Sequence, residues 1–97
     1  MPVNYRTLDL QIEMDTARKV ITHEVGGLTV REHAGTIEYT MPSGMHLATL
    51  SAIRLPNGER GTRLKYRTAI VSSWAIHART KAQEIHRAVA AHKFPGA

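Results

Sequence analysis

Arg63, Lys65 and Arg67 occupy alternate positions in a β-forming run, so on an extended strand they project from one face as a row about 7 Å apart. That spacing is close to the separation of successive phosphates, and the row therefore suits contact with a nucleic-acid backbone. Arg54 on the preceding strand and Arg31 further across the sheet extend the row. Arg79, Lys81 and Arg87 on a C-terminal helix supply secondary contacts. An exposed sheet face also carries charge simply to stay solvated and to discourage aggregation, and that plainer explanation stands beside the functional one.

The charge distribution points the same way. Residues 1–50 carry four basic and six acidic side chains, a net −2, whereas residues 51–97 carry nine basic and two acidic, a net +7, which gives the overall +5. The strand assignment below places most of this positive charge beside one edge strand. Such asymmetry favours an anionic partner, a nucleic acid or an acidic protein surface.

Other chemistry is sparse. His23, Glu32, Tyr39, Thr49 and Tyr66 share the inner face of the expected sheet, where they would line a cavity as polar anchors or an acid/base site. No two histidines have the i, i+4 spacing of a helical ligand pair, and His77 and His86 point differently, so neither a metal nor a cofactor is expected. Zero cysteines exclude disulfides and thiol catalysis and make a cytoplasmic location the default. Ser72 and Ser73 read as helix caps rather than nucleophiles. No stretch of about 18 apolar residues suggests a membrane span.

Period-two alternation dominates the first seventy residues, and with 97 residues the chain reads as a single domain over residues 1–97. Strands are expected at about residues 6–14, 19–25, 28–33, 36–41, 45–55 and 62–71, joined by turns at Thr16-Ala17, Gly26-Gly27, Ala34-Gly35, Pro42-Ser43-Gly44 and Asn57-Gly58. In that register Tyr39 faces Leu47, and Ile53 faces Thr62. Ala48, Leu50 and Ala52 then fall on the outer face as an apolar patch, open to a sheet-face dimer. Tyr39 and Tyr66 fall inside, which leaves the outer face without an aromatic platform.

Beyond Val71 the period changes. Ala75, Ala78, Ala82, Ile85 and Val89 form one stripe of a helix at about residues 73–92, with Trp74 over the sheet edge and Pro95 as a stop. The expected architecture is α+β: a six-stranded antiparallel meander, a curved sheet or partly closed barrel, with one C-terminal helix on its apolar face. If the sheet edges meet, Asp9 and Glu13 come beside Arg63, Lys65 and Arg67.

This order of elements, carrying no sequence motif, resembles the repeating unit of the Whirly and PUR single-stranded nucleic-acid binders, which has four strands. It is also similar to the later part of the helix-grip fold of START-like lipid and small-molecule carriers. The first resemblance implies a nucleic-acid binder and the second a ligand carrier. The expectation is a non-catalytic module whose basic half engages an anionic partner, nucleic acid ahead of acidic protein. A cavity-bearing carrier or enzyme is the alternative, followed by an assembly protein that pairs, as a homodimer or larger homo-oligomer, through its strand edges.

Overall fold

The computed structural model describes residues 5–68 and 76–95, and within them one segment departs completely from the expected meander. Residues 19–25 are not a strand. They belong to a helix, α1 (Met14–Glu24), which follows a strand, β1 (Tyr5–Leu10), shorter than the expected 6–14. Met14, Ala17, Ile21 and Val25 recur at spacings of three and four, and the last three of these are buried. Asp15 lies in the first turn, at the positive end of the helix dipole, and pairs with Lys19 at 3.3 Å.

The misreading has a physical cause. Ile21 and Val25 are four residues apart, a spacing that places them on one face of either a strand or a helix. The three-residue step from Met14 to Ala17 discriminates, because it continues the same stripe only in a helix. The expected Thr16-Ala17 turn also lacked any glycine, proline or asparagine. Gly26-Gly27 consequently follows a helix instead of linking two strands: the Val25 N–H bonds the Ile21 carbonyl at 2.9 Å, and Gly27 turns the chain at φ +74°.

Four further strands follow: β2 (Thr29–His33), β3 (Thr36–Thr40), β4 (His46–Arg54) and β5 (Arg60–Arg67). With β1 they form a five-stranded antiparallel sheet in the order β1-β5-β4-β3-β2. The β2–β3 hairpin has the expected register, Glu32 opposite Ile37 and Val30 opposite Tyr39. Positive φ at both Ala34 (+50°) and Gly35 (+80°) marks a type I′ turn, whose twist matches that of the strands it joins.

Strand β4 is turned over relative to expectation. The Pro42-Ser43-Gly44 loop closes as anticipated, with the Met41 N–H on the Met45 carbonyl at 2.9 Å, and Thr40 lies opposite His46. A bulge then shifts the register, so that Tyr39 faces Ala48 rather than Leu47. At the other end of the strand, Leu55 and Glu59 close a three-residue loop with Gly58 at φ +87°, in place of a two-residue turn. Leu50 therefore pairs with Leu64, and Ala52, not Ile53, pairs with Thr62. Each change moves the register by one residue, and one residue exchanges the faces of a strand.

Ala48 and Leu50 are consequently core residues with no exposure, and the expected apolar outer patch does not exist. Their neighbours in the core are Leu10, Ile37, Tyr39 and Leu64 from the sheet, Ala17 and Ile21 from α1, and Ala78, Ile85 and Val89 from the second helix, α2 (Ile76–Val89). Each large aliphatic side chain in this cluster contributes about 1.5–3 kcal/mol by leaving water. Both helices lie on β4 and β5 and touch each other, which covers one sheet face and leaves the other bare. The α2 stripe is the expected one. Ser72, Ser73, Trp74, Ala75 and the expected strand end at residues 69–71 lie outside the described residues.

Strand β1 lies beside β5 at one edge of an open sheet whose other edge is β2, and α1 carries the chain between those edges, so the sheet does not close as a barrel. β5 is thus an interior strand, not the edge that the charge pattern suggested. The outer edge of β1 is itself partly covered: the Phe94 N–H bonds the Asp9 carbonyl and the Gln11 N–H the His92 carbonyl, each at 2.8 Å.

Candidate functional site

Alternation along β5 sends Thr62, Leu64 and Tyr66 under the helices and Arg63, Lys65 and Arg67 onto the bare face. The row exists, yet its members are not equivalent. Arg63 is matched by Asp9 directly across on β1, with Nε donating to Oδ1 at 2.9 Å and Nη2 to Oδ2 at 3.3 Å. Glu13, the other acid expected beside the row, stands at the N-cap position of α1 instead, without a side-chain capping bond.

Lys65 is exposed, and none of the ion pairs among the described residues involves it or Arg67. Its Nζ stands 5.2 Å from the centroid of the Tyr5 ring. Arg67 is only 9% exposed: its Nε donates to the His46 carbonyl at 2.8 Å, its Nη2 to the Tyr5 hydroxyl at 3.4 Å, and its Cζ lies 5.6 Å from the same ring.

His46 links this group to β4. Its Nδ1 is 3.0 Å from the Tyr5 hydroxyl and its Nε2 is 2.7 Å from Thr49 Oγ1. Burial holds the imidazole below its ordinary pKa; Glu38 opposes that shift, and the charges of Arg67 and Lys65 reinforce it. Arg31, Glu38, Thr49, Lys65 and Thr7 form one row across four hydrogen-bonded strand pairs of this face. Glu38 is engaged by His33 at 2.9 Å, and that hydrogen bond is the first cause of its lowered pKa.

Other expected site residues lie elsewhere. Arg54 sits opposite Arg60 with the parity of the helix-covered face and donates to the Gly58 carbonyl at 2.8 Å, so it does not join the row. The two arginines border a cleft of about 500 Å³ that also includes Glu13 and Asp15. Arg79 and Arg87 are exposed on α2, across the thickness of the molecule from the row, and Lys81 holds the Gly26 carbonyl at 2.8 Å.

The expected cavity residues disperse. His23 is exposed on α1, Glu32 pairs with Arg18 at 2.6 Å, and Thr49 occupies the bare face. Tyr39 is fully buried, while Tyr66 stacks on His86 with centroids 4.6 Å apart. No helix among the described residues is long and apolar enough to cross a membrane.

Tyr5 and His46 are the site residues that sequence reasoning missed. Tyr5 has a legible signal: the pairing that sets Asp9 against Arg63, continued four residues back, sets Tyr5 against Arg67. It supplies the aromatic ring that the outer face was expected to lack. His46 has no such signal, because the bulge beside it breaks the alternation. The fold and this face together define a small α+β protein with a polar, cation-bearing open sheet. No family model, curated protein or solved structure matches the chain.

Proposed function

We propose that this protein is a non-catalytic binding module that engages single-stranded nucleic acid through the open face of its sheet. The observation that carries the reading is the cluster of Lys65 and Arg67 around the half-buried Tyr5 ring, two cations without a carboxylate partner among the described residues. Cations neutralise phosphates, an aromatic ring stacks on a base, and the flanking Thr7, Thr49 and Ser51 hydroxyls suit sugar and phosphate oxygens. An acidic protein surface would use the cations and leave the ring idle, which is why nucleic acid is favoured.

The test uses Arg31→Glu and Lys65→Glu together, since both side chains are exposed and neither belongs to an ion pair among the described residues. Binding of an oligothymidine is measured by fluorescence anisotropy across a salt series, with polyglutamate as competitor. Affinity should fall, and the log–log salt slope should shrink by about one per lost phosphate contact. Unchanged affinity and slope in the double variant, or equal competition by polyglutamate, would overturn the reading.

A further inference from the structure

An arginine that is nine-tenths buried normally faces a carboxylate, because an unpaired charge removed from water is costly. Arg67 has none within the described residues and is held by a carbonyl, a phenol and a ring face. The hydrogen bonds around it form an ordered chain. Arg67 can only donate, so the Tyr5 oxygen accepts from it, and in the Nε2–H tautomer of His46 the Tyr5 hydrogen goes to His46 Nδ1. His46 then carries its proton on Nε2 and donates it to Thr49 Oγ1. That leaves the Thr49 hydroxyl hydrogen pointing out of the chain, on the strand next to Lys65 and directly opposite it.

Three kinds of donor therefore converge on one patch of β4 and β5: the Lys65 ammonium, the remaining N–H groups of Arg67 and the Thr49 hydroxyl. Two uncompensated positive charges match a dianion. Arg63, already neutralised by Asp9, marks where the charge excess ends. We infer that Lys65, Arg67 and Thr49, oriented by Tyr5 and His46, form a site for a terminal phosphate, a phosphomonoester dianion, distinct from the diester contacts elsewhere on the face. The inference rests on the anion-binding reading of this face and adds the chemical class that its best-built part selects.

The experiment compares oligothymidines bearing a 5′-phosphate, a 3′-phosphate or hydroxyl ends by calorimetry, alongside thymidine monophosphate and inorganic phosphate followed through the His46 ring resonances. A terminal phosphate should tighten oligonucleotide binding by about tenfold. Lys65→Gln and Thr49→Val should each erase most of that preference. Both retain the Arg67 contacts that hold β1 to β4, and Lys19→Gln on α1 should leave the preference intact. Equal affinity for all oligonucleotides, with His46 unmoved by phosphate, overturns the inference while salt-dependent binding leaves the broader function standing. Movement of His46 by thymidine monophosphate or phosphate without oligonucleotide binding supports the site and overturns the nucleic-acid function.

Discussion

Replacing Gly61 with alanine tests the docking of β1 on β5, the feature on which the open face depends. A Cβ at Gly61 would lie 2.7 Å from the Leu10 carbonyl oxygen and 2.7 Å from Leu55 Cγ, well inside ordinary van der Waals contact. Neither neighbour yields easily. Leu10 belongs to the β1–β5 ladder and is fully buried, and Leu55 is only 2% exposed. Overpacking of this kind costs about 1–3 kcal/mol, whereas the entropic gain of alanine over glycine returns about 0.5–1 kcal/mol. A net loss of about 1–2 kcal/mol is expected from urea unfolding, with Gly26→Ala as control, since its Cβ meets nothing within 4 Å. A Gly61→Ala protein as stable as the parent would show that β1 does not approach β5 as described.

Ala34 holds φ +50° in the β2–β3 turn, so Ala34→Gly should raise stability by about 0.5–1 kcal/mol in thermal unfolding; a loss would contradict the type I′ assignment. Burial pushes the Tyr39 phenol up to about 12, and its hydroxyl has no hydrogen-bond partner among the described residues. Tyr39→Phe should therefore leave stability level or higher, and a loss above about 1 kcal/mol in urea would refute that placement. His46 and His86 both titrate below their ordinary pKa, chiefly through burial, so protons bind the unfolded chain more tightly than the folded one. Stability should fall as pH drops through about 6.5 and stop falling from this cause once the folded-state values are passed, and a flat urea midpoint between about pH 7.5 and 5.5 would be inconsistent.

Local chemistry was sufficient for much of this protein. Turns built on Ala34-Gly35 and Pro42-Ser43-Gly44 close where their residues demand it, because positive φ and tight reversals are properties of a few neighbouring atoms. The Ala78, Ala82, Ile85 and Val89 stripe announced α2, since no strand period fits it. Alternation alone placed Arg63, Lys65 and Arg67 on one face, and that survives because β5 is regular from end to end.

What the tertiary structure decided were the choices that local residues leave degenerate. Ile21 and Val25 satisfy two periods equally, and only the fit of Ala17 and Ile21 against the sheet and α2 selects the helix. Leu47 and Ala48 are adjacent yet both fully buried, which the bulge at this point allows, and the shifted register beyond it puts Leu50 under the helices. The grouping of Tyr5, His46, Thr49 and Arg67 spans three strands, of which β1 lies far from β4 and β5 in the chain. Their meeting depends on β1 docking beside β5, which is a consequence of packing over long sequence distances and has no local signature.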